Sequence, residues 1–81
     1  MKNMNKDIFI NIFTENIIYL RKVNNLSLKE MSEILYISTY SIKKIEKGLL
    51  PSRLKVSVLF KIQKYFGISP QIIVDKKLNQ K

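Results

Sequence analysis

The chain has 81 residues, no cysteine and no histidine, 46% hydrophobic content and a formal net charge of +9. A chain this short forms one modest core rather than two lobes around a cleft, and it lacks the side chains of disulfides, thiolate nucleophiles, imidazole bases and the usual zinc sites. Its apolar residues fall in short runs broken by charges, none reaching the roughly 18 to 20 residues of a membrane span, and Asp7 and Asn11 interrupt the N-terminal apolar patch where a signal peptide would need continuity.

The spacing of apolar residues predicts helices throughout. Phe9, Phe13, Ile17 and Leu20 recur at helical intervals from about Asp7 to Asn24, and Asn24-Asn25 supplies a polar stop. The second helix announces its start: Ser27 and Glu30 stand at capping-box spacing, with Leu26 and Met31 placed as a hydrophobic staple across them. It runs to about Leu35, with Leu28, Met31 and Leu35 on one side. Only Tyr36, Ile37 and Ser38 separate it from a third helix, the short connection of a helix-turn-helix.

In the third helix, at about 100° per residue, Ile42 and Ile45 point one way. Tyr40, Lys43, Lys44 and Lys47 cluster opposite, with Thr39 and Ser41 at the flanks. Burying the isoleucines turns the basic face outward. Gly48 and Gly67 stand where left-handed residues would end the third and fourth helices. The fourth helix, about Lys55 to Phe66, carries Val56, Val58, Leu59, Phe60, Ile62, Tyr65 and Phe66, apolar nearly all round, which predicts a central position. Ser69, with Pro70 at the first helical position, opens a fifth helix.

The basic charge is uneven. Residues 37–66 hold seven of the fifteen basic residues and one of the six acidic ones, so +6 of the +9 begins at the third helix. Such an excess favours a polyanion, either nucleic acid or an anionic membrane surface. It also serves simple solubility, and thirteen lysines against two arginines fit an AT-rich genome equally well. In a helix-turn-helix the second helix of the motif enters the major groove, its N-terminal residues against base edges.

The stretches FTENIIYLRK (13–22), LSLKEMSEILYIS (26–38), SIKKIEKG (41–48) and VLFKIQKYFGIS (58–69) resemble the phage repressor and Cro type of helix-turn-helix domain, the XRE family. The resemblance implies an all-α, lambda-repressor-like bundle of five helices; residues 1–81 are expected to form one domain, with flexible tails at 1–6 and 76–81. It implies a cytoplasmic transcriptional regulator of bacterial or phage origin, most often a repressor, that binds double-stranded DNA as a homodimer on a near-palindromic site. By position, Thr39, Tyr40 and Lys44 match base-reading residues and Ser38 lies near the groove floor. Ser41, Lys43 and Lys47 match positions near phosphates or the groove edge. Arg21 and Glu46 fall where the family commonly forms an ion pair, a structural rather than a DNA contact.

Three departures stand out. Leu28 replaces a glutamine that contacts phosphate, so that contact is lost or taken by Lys29 or by backbone N–H groups at the helix start. Tyr36 replaces the turn glycine, at a local strain cost if positive φ is kept. The loop from Gly48 to Val56 is about two residues longer than the common form, enough to bring Arg53 to the flanking backbone or minor groove. Its Leu49-Leu50 pair fits either a dimer contact or packing on the fourth helix; Ile72, Ile73, Val74 and Leu78 offer another dimer surface.

Glu30 and Glu33 read as surface charge and capping rather than as a metal site. No nucleophile stands beside a base and no glycine-rich phosphate loop exists, so no catalytic residue, metal or cofactor is expected. Two other readings remain beside the favoured regulator. One is an antitoxin-like or accessory module whose main partner is a protein, a toxin or an anti-repressor, using Leu28, Tyr36 and the Leu49-Leu50 pair. The other is peripheral membrane binding through basic amphipathic helices.

Overall fold

The computed structural model describes residues 3–49 and 56–78, with side chains from residue 9 onward. Five helices follow in order: α1 (Asn3–Val23), α2 (Leu28–Leu35), α3 (Thr39–Glu46), α4 (Val56–Phe66) and α5 (Pro70–Ile73). α2 packs against α3, α1 against α3 and α5, and α4 against α2 and α5. Among the described residues no helix is long and apolar enough to cross a membrane.

Local chemistry sets the boundaries. Ser27 Oγ accepts from Glu30 N at 3.0 Å while Glu30 Oε1 accepts from Ser27 N at 2.8 Å, completing the capping box of α2. Ser38 and Ser69 cap α3 and α5 by accepting from Ser41 N and Ile72 N. The first three helices end through left-handed residues: Asn25 (φ 56°), Tyr36 (φ 60°) and Gly48 (φ 86°). In each case the next N–H reaches back to close the helix, Leu26 to Arg21 O, Ile37 to Ser32 O and Leu49 to Lys44 O. Tyr36 therefore keeps the family's positive φ despite its Cβ.

The core comprises Phe13, Ile17, Leu20, Met31, Leu35, Ile42, Ile45, Val58, Ile62 and Ile73. Phe9 is not among them: it is 49% exposed, one turn beyond the part of α1 that the other helices cover. α4 is not central either. Val58 and Ile62 are buried, but Val56, Phe60 and Tyr65 are exposed, because α2 and α5 cover only one side of it.

Of the tails expected at 1–6 and 76–81, residues 3–6 and 76–78 are among the described residues. α1 takes in residues 3–6. Fully buried Asn16 donates through Nδ2 to Ile73 O and Lys76 O, both at 2.7 Å, and accepts from Leu78 N at 2.8 Å. Lys77 also approaches Glu15, at 3.5 Å. The proposed dimer surface at the C-terminus contracts accordingly. Ile73 is buried and Val74 and Leu78 lie against the core, since a four-residue α5 must spend its apolar groups closing the bundle; only Ile72 is exposed.

Candidate nucleic-acid interface

The interface candidate is the outer face of α3, and two contacts from α1 fix that helix. Thr14 Oγ1 donates to the Ile45 carbonyl at 2.8 Å, satisfying an acceptor in the last turn of α3. Seven residues on, along the same side of α1, Arg21 meets Glu46 in a two-pronged ion pair: Nε to Oε2 at 2.7 Å and Nη2 to Oε1 at 3.0 Å. Arg21 Nη1 also donates to the Leu26 carbonyl at 3.2 Å. The planar guanidinium fits this fork as lysine could not. Its hydrogen bond to Glu46 raises the Arg21 pKa against the opposing pull of burial. Stability from that shift is complete below arginine's ordinary pKa and is lost only as pH rises through the raised one, so neutral-pH binding does not feel it.

With Ile42 and Ile45 fully buried, Thr39, Tyr40, Lys43 and Lys47 are exposed and Ser41 and Lys44 are half-buried. Tyr40 is 68% exposed, and Lys44 Nζ lies 5.5 Å from the centre of its ring. Ser38 accepts from Ser41 N and donates to Ser41 Oγ, both at 3.1 Å, which ties the two hydroxyls to the helix start. The first turn of α3 holds no acidic residue to oppose an approaching phosphate. Lys43 and Lys44 lie in the last turn, where cations also favour the helix dipole.

Lys29 is exposed in the first turn of α2. The N–H groups of Ser27 and Glu30 are both taken by the capping box, which puts the Glu30 carboxylate beside that helix start. Of the two groups expected to replace a glutamine at position 28, Lys29 thus has the freer hand. Leu28 itself is half-buried and packs against the core, which leaves little of it for a protein-binding surface. Arg53 and Leu50 lie outside the described residues; Leu49 is exposed.

A second feature lies beside the turn. Lys61 Nζ sits 4.0 Å from the Tyr36 ring centre, a cation–π contact that joins the turn to α4. An open groove of about 560 Å³ runs there, with Leu26 and Ile34, Glu30 and Glu33, Tyr36 and Tyr65, and Lys61 and Lys64 along it. None of these residues belongs to α3.

Thr14, Asn16 and Lys61 were not legible as important side chains in the sequence. Only Thr14 carried a signal, its seven-residue spacing from Arg21. Residues 17–73 match the family described as Helix-turn-helix, from the last third of α1 to the last residue of α5. No curated protein and no solved structure matches the chain.

Proposed function

The chain belongs to the XRE-type helix-turn-helix family of DNA-binding transcription regulators, and we propose that it is a sequence-specific repressor acting as a homodimer on a near-palindromic operator. One observation carries this reading: the buried isoleucines of α3 turn Thr39, Tyr40, Lys43, Lys44 and Lys47 outward together, on a helix pinned by Thr14 and Arg21. Thr39, Tyr40 and Lys44 read bases, with Ser38 at the groove floor. Ser41, Lys43, Lys47 and Lys29 approach phosphates, and Arg53 is assigned to the flanking backbone or minor groove. Exposed Leu49 and Ile72 are the anchors proposed for the dimer contact.

Selection of binding sites from a pool of random duplexes tests the proposal. A regulator of this kind recovers a two-fold repeated motif, and the selected site placed at a promoter lowers transcription. Lys44→Ala then relaxes the motif at one position, by about 1 to 3 kcal/mol of discrimination. Lys47→Ala weakens all sequences alike. Equal losses on selected and random DNA for Lys44→Ala sink its base-reading role.

The groove beside Tyr36 favours a second reading, a protein-interaction module with DNA binding secondary. Two exposed tyrosines flanked by charges of both signs suit a polypeptide better than a polyanion. Co-purification of a stoichiometric partner, with DNA binding indifferent to sequence, supports that reading over the first.

A further inference from the structure

The outward face of α3 is notable for what it lacks. Its eight residues, TYSIKKIE, include no arginine, asparagine or glutamine, and those are the planar groups that make two-point hydrogen bonds to a purine edge. Beside Thr39, two groups on this face can distinguish bases in another way, and they adjoin one another. The exposed Tyr40 ring offers an apolar surface, and Lys44 Nζ stands 5.5 Å from the ring centre, one helical turn along. Lys44 is half-buried, unlike the exposed Lys43 and Lys47, so its stem is held and its ammonium has fewer directions open.

Each group has a natural counterpart in the major groove. The thymine C5-methyl is the apolar group displayed there, and a ring face packs on it. An ammonium donates and cannot accept; guanine sets two acceptors side by side, whereas adenine sets a repelling amino group beside its N7. Successive bases rise about 3.4 Å, so an ammonium and a ring one helical turn apart meet neighbouring base pairs. We propose that Tyr40 and Lys44 act as one two-part reader that selects a thymine methyl group beside a guanine. The ring contacts the methyl and also holds the ammonium over the guanine edge, so Tyr40 positions Lys44 as well as reading a base. This rests on the regulator reading and names what its site contains.

The test uses the full chain and its selected duplex with single-atom-group changes. Deoxyuridine for thymidine removes only the methyl group, and 7-deazaguanine for guanine removes only N7. One deoxyuridine per reading helix weakens the parent protein about fourfold, the size expected for one buried methyl. It leaves Tyr40→Ser unchanged, while Tyr40→Phe, which keeps the ring, responds like the parent. The 7-deazaguanine change weakens the parent, leaves Lys44→Ala unaffected, and has a reduced effect on Tyr40→Ser although Lys44 is intact.

The inference is overturned by a selected site without a thymine beside a guanine. It is also overturned by deoxyuridine that is neutral at every thymine or equally harmful to Tyr40→Ser, or by Tyr40→Phe behaving like Tyr40→Ser, which would assign the reading to the hydroxyl. Failure to select any sequence removes the regulator reading itself, and this inference with it.

Discussion

Tyr36 holds a left-handed conformation that costs an L-residue with a Cβ about 1 to 2 kcal/mol. It persists because the turn needs that geometry: Ile37 N reaches back to Ser32 O only if the chain reverses there. The Lys61 ammonium over its ring offsets part of the cost, about 0.5 to 1 kcal/mol for a contact this exposed. Tyr36→Ala loses the contact and keeps the strain, whereas Tyr36→Gly loses both. Urea unfolding is therefore expected to rank Tyr36→Gly above Tyr36→Ala by about 1 kcal/mol; the opposite order would mean that the backbone strain is absent. The sequence raised the question of this residue, since a tyrosine stands where the family has glycine. Its partner Lys61 was not legible, because nothing in local spacing links position 36 to position 61.

Among the elements, α3 is presented and not merely folded. α1 grips its C-terminal half through Thr14 and Arg21, α2 packs beside it, and its start is capped by its own Ser38. These boundaries were readable because caps are local: a serine accepting from an N–H three residues on, or a glycine at positive φ, depends on few neighbours. The burial pattern of α4 was not readable. Its apolar residues surround the helix, and which of them meet a partner depends on how α2 and α5 lie against it. Asn16 escaped for the same reason, since its partners are 57 to 62 residues away. That side chain joins α1 to the chain after α5 through three hydrogen bonds at a fully buried position. At about 1 kcal/mol for each bond lost, Asn16→Ala is expected to lower unfolding stability by about 3 kcal/mol. Asn16→Asp should do at least as badly, because it turns a carboxylate oxygen toward two carbonyls. Variants within about 0.5 kcal/mol of the parent would mean that the network is not a structural tie.

At the scale of the whole molecule, the +9 chain holds +6 between residues 37 and 66, and the fold exposes Lys43 and Lys47 on α3. Charge alone attracts any polyanion; a reading face held in place adds selectivity, and the two effects separate by their response to salt and to sequence. A dimer neutralising about six phosphates should show log K falling with log salt at a slope near −5 on every duplex. The steepness reports the lysines, and the gap between duplexes reports α3. The most direct measurement is a titration of the purified chain with the DNA upstream of its own gene and with a scrambled duplex of equal length, at roughly 50 and 200 mM salt. The regulator account predicts about a thousandfold preference for the native sequence, kept at both salt concentrations while both affinities fall. Equal, weak binding to the two duplexes would contradict it and leave the basic face of α3 an electrostatic patch.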